Sequence, residues 1–105
     1  MIQEKLVRAL AQIESIMLLC HRVAYLYQRG HAQMGQIAMT KAQCSRVARE
    51  VCALAREIMG GNGILIENRA MVAMTDVEAA YTYEGTYDIN TLVAGRELTG
   101  FAAFK

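Results

Sequence analysis

An all-α fold, an antiparallel up-and-down helical bundle, is the class this 105-residue chain predicts, and three observations carry the prediction. Proline is absent throughout. Two long stretches repeat apolar residues alternately four and three positions apart, the spacing that gathers side chains on one side of an α-helix. Glycines collect mainly between and after those stretches rather than inside them. Short connections then make successive helices antiparallel neighbours.

In the first stretch Leu6, Leu10, Ile13, Met17, Cys20, Ala24 and Tyr27 share a face, with Arg8, Gln12 and Glu14 elsewhere, so a long amphipathic helix is expected to stop near Gly30. The second repeats the pattern at Ile37, Thr40, Cys44, Val47, Val51, Leu54 and Ile58 and ends at Gly60-Gly61, a pair suited to the left-handed residue that follows a helix C-terminus. A shorter helix is expected over about 67–74. Thr75 and Glu78 behind it have capping-box spacing. After Tyr81-Thr82-Tyr83-Glu84-Gly85-Thr86, a last helix carries Ile89, Leu92, Val93 and Leu98. Thr86 is its expected N-cap, and Asp88 lies in the first turn, where the helix dipole favours an anion.

The length suits one domain. Its apolar content is 54%, about 57% when glycine is counted and tyrosine is not, against a usual 45–50%. A domain of this size leaves a third or more of its unfolded-chain surface exposed, so some of that apolar area is expected to be buried against something else. Eleven Lys and Arg against ten Asp and Glu give a net charge of +1, without the basic excess that nucleic acid demands. No apolar run reaches membrane-span length, and Glu4 and Lys5 interrupt the place where a signal peptide would begin its apolar core. Cys20, Cys44 and Cys52 are odd in number, lack a CxxC pair and fall on apolar helical positions, which reads as inert core thiols in a reducing compartment.

Candidate chemistry is sparse. Di-iron bundles need Glu-x-x-His pairs, but Leu18 precedes His21 and Gln28 precedes His31, so no metal site is expected. Gly60-Gly61-Asn62-Gly63 follows a helix and lacks the Lys-Ser/Thr of a phosphate loop; by itself it reads as a helix cap and turn. Lys41, Arg46, Arg49 and Arg56 are interleaved with Glu50 and Glu57, a pattern of local ion pairs on a solvated face. Glu84 is different in kind. It stands among Tyr81, Tyr83 and Tyr87, directly before a glycine that permits close backbone approach. On residues alone it is either an ordinary turn carboxylate or, if partly desolvated, a general base with a raised pKa.

Taken together, Ala55-Arg56-Glu57-Ile58-Met59-Gly60-Gly61-Asn62-Gly63-Ile64 and Tyr83-Glu84-Gly85-Thr86-Tyr87-Asp88-Ile89 closely resemble the C-terminal helical domain of flavin-dependent acyl-CoA dehydrogenases. Asp88 and the ending Leu92-Val93-Ala94-Gly95-Arg96-Glu97-Leu98-Thr99-Gly100-Phe101 look most like the glutaryl-CoA dehydrogenase branch and related short-chain acyl-CoA oxidases. The resemblance covers the whole chain, residues 1–105, but only the last quarter or so of a family member.

The resemblance implies a set of roles. Glu84 would be the catalytic base, removing the α-proton of an acyl-CoA thioester while hydride leaves the β-carbon for N5 of FAD, giving a trans-2-enoyl-CoA. Gly85 would lie against the substrate. Thr86 and Asp88 would touch FAD from the start of the last helix, and Glu57, Ile58, Met59, Gly60 and Gly61 would reach the FAD of a neighbouring subunit. That reverses the plain turn reading of the glycines. Further implied are a homo-oligomer, an electron-transfer flavoprotein partner for a dehydrogenase, and residence in a bacterial cytoplasm or, in a eukaryote, the mitochondrial matrix or peroxisome. The family's N-terminal and β-domains and the front of the first bundle helix are not in the sequence, so weak FAD binding and no turnover are expected of this chain alone. The alternative is a noncatalytic truncated assembly module that self-associates through exposed helix faces.

Overall fold

The computed structural model describes residues 1–104. Four helices make up the described residues: α1 (Ile2–Gln28), α2 (Met34–Ile58), α3 (Ala70–Thr82) and α4 (Tyr87–Thr99), with two 3₁₀ turns, Gly60–Ile64 and Ile66–Asn68, between α2 and α3. There is no strand among the described residues.

The helix ends follow from their residues. Gly30, at φ +72°, lies just beyond α1, and its N–H donates to the Tyr27 carbonyl at 3.0 Å. At the start of α2 the Gln36 side chain reaches back to the Gln33 N–H at 2.9 Å, so a glutamine pair fills the capping-box role. Gly60 takes φ +58° after α2, the left-handed turn expected of it. Thr86 caps α4 as expected, its hydroxyl accepting from the Ile89 N–H at 3.2 Å, and Gly100 closes α4 at φ +80°.

α3 departs from expectation. It starts at Ala70, behind Arg69 in a left-handed conformation at φ +68°, and runs through Thr82 rather than stopping near Met74. Thr75 is an interior residue, not a cap. Its hydroxyl donates to the Met71 carbonyl at 3.0 Å, the i−4 bond that lets a threonine sit inside a helix.

α2 is the centre, and the other three helices pack on it. Three cross-links fix α1 antiparallel to α2: Lys5 to Glu57 at 2.7 Å, Gln12 to Glu50 at 2.5 Å and Cys20 to Cys44 at 3.3 Å. α3 and α4 both run antiparallel to α2 and succeed one another along it. Arg49 meets Glu78 of α3 at 2.6 Å, whereas the Gly35 N–H at the start of α2 meets the carboxylate of Glu97 in α4 at 2.7 Å. The joint between α3 and α4 therefore lies over the middle of α2.

The core is small: Ala38, Ala42, Val47, Leu54 and Ala70, with Ser45, Gly35 and Gly63 buried beside them. Small side chains on α2 let three helices approach it, but they hide little apolar area. The α1 face that turns to α2 is Lys5, Ala9, Gln12, Ile16, Leu19, Val23 and Leu26, all half-buried. The stripe picked out by periodicity lies one residue further round and is open: Leu10 is 58% exposed and Met17 49%. α1 is apolar over more of its circumference than one neighbour can cover. Cys20 is accordingly exposed rather than a core thiol, while Cys44 and Cys52 are half-buried.

Candidate functional site

The joint between α3 and α4, Tyr83 to Thr86, carries Glu84. Tyr81, at the end of α3, and Tyr87, at the start of α4, stack across it with ring centres 5.4 Å apart and planes within 10°. The Arg49 guanidinium lies 4.1 Å from the Tyr81 ring centre. This stack brings the two helix ends together, so the four residues between them must turn sharply. Glu84 has φ +54° and Gly85 φ +89°, two successive left-handed residues. Glycine adopts that conformation freely, but for glutamate it is strained by roughly 1–2 kcal/mol.

Two side chains hold the joint. The Lys41 ammonium donates to the Tyr83 carbonyl at 2.7 Å and the Gly85 carbonyl at 2.6 Å. Asn90 Nδ2 donates to the same Gly85 carbonyl at 2.7 Å and to that of Thr86 at 3.0 Å. Neither residue was a candidate from sequence. Asn90 had a local signal, lying four residues past the N-cap; Lys41 had none, because it belongs to an unremarkable basic stripe.

The Glu84 side chain is exposed. The partial desolvation anticipated among the tyrosines is not supplied by this chain, because Tyr81 and Tyr87 stack on each other and Tyr83 is 61% exposed. Gly85 is half-buried, and Thr86 and Asp88 are exposed in and before the first turn of α4. Thr86 accepts the capping bond from Ile89, which leaves its hydroxyl proton free to donate outward.

The second predicted group sits far from the first. Glu57 and Ile58 end α2, Met59 caps it, and Gly60 and Gly61 begin the 3₁₀ turn. From Lys41 to Ile58 the α2 axis rises by about 25 Å at 1.5 Å per residue. Gly60 and Gly61 are exposed, and a side chain built at either would meet nothing within 4 Å, so their backbone is open to close approach. Glu57 is engaged by the Lys5 ammonium, whose hydrogen bond and charge hold its carboxyl below the usual carboxylate range. Of the local ion pairs expected in the basic stripe, Arg46–Glu50 forms, whereas Arg49 reaches across to Glu78 of α3 and Glu57 is taken by Lys5 of α1.

A groove of about 610 Å³ runs between α2 and α4, lined by Gln36, Met39, Gln43, Tyr87, Thr91 and Leu98 among others; Glu84 is not part of it.

Four helices among the described residues, three of them packed on α2, with one carboxylate presented from the strained joint between α3 and α4, define an all-α helical domain. The chain belongs to the acyl-CoA dehydrogenase C-terminal domain family, whose family model matches residues 1–99. A protein of Escherichia coli strain K12 described as a probable acyl-CoA dehydrogenase, YdiO, is 34% identical over 98 residues, which are 93% of this chain and 26% of that protein. A probable short/branched chain specific acyl-CoA dehydrogenase of Dictyostelium discoideum is 30% identical over 86 residues, 82% of this chain and 21% of its own length. Among solved structures, a glutaryl-CoA dehydrogenase from Mycobacterium smegmatis superposes with a TM-score of 0.94 at 31% identity, over 98% of this chain and 27% of that one. A second crystal structure of a glutaryl-CoA dehydrogenase from that organism, in complex with FADH2, superposes with a TM-score of 0.92 at 31% identity over the same shares. The chain thus spans about a quarter of the length of the relatives it matches.

Proposed function

We propose that this chain is the C-terminal part of an FAD-dependent acyl-CoA dehydrogenase of the glutaryl-CoA type, with Glu84 as the base that removes the α-proton of an acyl-CoA thioester. The observation that carries the reading is the joint: a carboxylate held in a strained, left-handed backbone at an exposed surface, in the Tyr83-Glu84-Gly85-Thr86 segment whose resemblance implies a base. Strain of this kind clusters at sites where geometry has been selected over stability. The Mycobacterium smegmatis structure supports the choice of branch.

The chain's own groups fit a flavin. Thr86 offers a hydroxyl proton beside the N-terminus of α4, Asp88 offers a carboxylate acceptor in its first turn, and the open backbone at Gly60 and Gly61 admits close approach. The resemblance implies that Thr86 and Asp88 serve the flavin of the chain's own active site and Glu57 to Gly61 that of a neighbouring copy, and the about 25 Å of α2 between the two groups accords with two separate flavins. Bound FAD supplies the hydride acceptor. Glu84 takes the proton, Gly85 lets the thioester approach the backbone beside it, and burial by the remaining domains supplies the desolvation that raises a carboxylate's basicity. Electrons would then pass to an electron-transfer flavoprotein.

The test is a chimaera in which residues 1–105 replace the corresponding segment of the Mycobacterium smegmatis glutaryl-CoA dehydrogenase. Substrate-dependent bleaching of the flavin is expected in the chimaera, and Glu84→Gln is expected to slow it by about 10²–10⁴-fold with flavin content unchanged. Full-rate bleaching in Glu84→Gln would remove Glu84 from the mechanism.

One observation favours a second reading. The open apolar stripe of α1 suits self-association, as in a noncatalytic assembly module. The readings part on flavin: a module would yield a chimaera that assembles but neither retains FAD nor turns over.

A further inference from the structure

We propose that Lys41 is the positioning residue for Glu84, an inference that rests on the reading of Glu84 as the base. Its ammonium bridges the carbonyls on either side of Glu84, those of Tyr83 and Gly85, at 2.7 and 2.6 Å. Those two peptide groups bracket the strained turn, where Glu84 has φ +54° and Gly85 φ +89°. A turn of this kind persists only when its surroundings over-determine it. Charge-assisted bonds are about twice as strong as neutral ones, and here two of them converge on one cation. The Tyr83 ring, 6.0 Å from Nζ, adds a face to the same ammonium.

The helix that carries Lys41 matters as much as the bonds. α2 is the element on which α1, α3 and α4 all pack, so the ammonium ties the Glu84 backbone to the most constrained part of the molecule. Asn90 cannot substitute for it. Its amide reaches the Gly85 and Thr86 carbonyls but not that of Tyr83, so it anchors only the α4 side of the joint. Without Lys41 the Tyr83 side is released, and Glu84 is free to relax out of the left-handed region.

The test begins with the 105-residue chain in solution. Scalar couplings across the hydrogen bonds from Lys41 Nζ to the Tyr83 and Gly85 carbonyl carbons are expected in the unaltered chain. In Lys41→Met the amide-to-Hα coupling and intraresidue cross-peak of Glu84 should lose their left-handed signature while helix content and the Ile89 amide stay unchanged, and Lys41→Arg should restore that signature. A left-handed Glu84 in a folded Lys41→Met chain overturns the proposal. Should Lys41→Met fail to fold, the unaltered chain decides, since absence of both couplings overturns it equally.

In the chimaera, Lys41→Met is expected to lower kcat by about 10²-fold, the scale of a misplaced catalytic group. KM should stay within about threefold, as for an interaction made only in the transition state, and Lys41→Arg should recover most of the rate. Unchanged kcat in Lys41→Met alongside an inactive Glu84→Gln overturns the role of Lys41 and leaves the base in place. An active Glu84→Gln overturns the base, while the coupling measurement still decides what holds the turn.

Discussion

Gly63 and Gly61 stand two positions apart in one turn and should respond oppositely to the same substitution. A Cβ at Gly63 would sit on the Arg56 carbonyl oxygen, a backbone atom of the last turn of α2 that cannot swing aside. Gly63→Ala is therefore expected to cost about 1–3 kcal/mol, as overpacking does. Gly61 has ordinary φ and open space around it, so Gly61→Ala should stay within about 0.5 kcal/mol of the parent. Urea midpoints of the two variants check both at once. If Gly61→Ala, though as stable as the parent, also lowers flavin retention in the chimaera, the proposed approach of a neighbouring copy's flavin to that backbone gains a direct measurement. At this scale the sequence was most informative where chemistry is local. Thr86 as N-cap and the left-handed Gly60 were both legible, because a hydroxyl three residues before an amide and a glycine after a helix need no distant partner. Lys41 was illegible because its acceptors lie more than forty residues along the chain and are backbone carbonyls, which leave no mark in a sequence.

Helix-scale reading succeeded in kind and failed in rotation. Periodicity finds an apolar stripe, but α1 has apolar residues on both sides of the seam that α2 covers. The half-buried row at Ile16, Leu19, Val23 and Leu26 packs, and the neighbouring row at Leu6, Leu10 and Met17 does not. Gln12, read as an outward residue, lies on the packed row and donates to Glu50. α3 ran past its expected end because a threonine that could cap a helix can equally bond back to the carbonyl four residues earlier. The α1–α2 seam also carries a pH dependence. Burial first, and then the adjacent Cys20, push the Cys44 thiol from an ordinary value of 9.0 up to about 12. The folded state thus holds that proton more tightly than the unfolded chain does. The stability this confers is complete below about pH 9 and drains away between about pH 9 and 12 as the unfolded thiol ionises first. Urea midpoints should fall between about pH 8 and about pH 10.5, and Cys44→Ala should flatten part of that fall. An identical slope in the variant would mean that the thiol does not contribute.

At the scale of the whole molecule, the radius of gyration is 16.1 Å and the extents are 47 × 28 × 23 Å, against about 13 Å expected for a compact domain of this length. The apolar excess read from composition therefore has a physical location: it lies on the open stripe of α1 and around α4, where Leu98 is 87% exposed. On that ground the chain is expected to self-associate in solution. Leu10→Lys with Met17→Lys should shift sedimentation towards the monomer without loss of helix content; an unchanged oligomer would place the interface elsewhere. The all-α class, the helix order and the family likeness were legible because they rest on periodicity and two local motifs. The tandem run of α3 and α4 along α2 was not, since a short connection does not by itself set the direction of the next helix. That every other helix leans on α2 has a consequence for how the molecule opens. α1 can lift away by breaking one seam, α3 and α4 by breaking another, but α2 loses its hydrogen-bonded protection only when all of its neighbours have left. Amide protons near Ala42 and Val47 should be the last to exchange with deuterium and should report global unfolding, while those of α1 exchange through a smaller, separate opening. Through Lys41 the carbonyls on either side of Glu84 are tied to the helix expected to open last, and the exposed carboxylate between them stands on that tie.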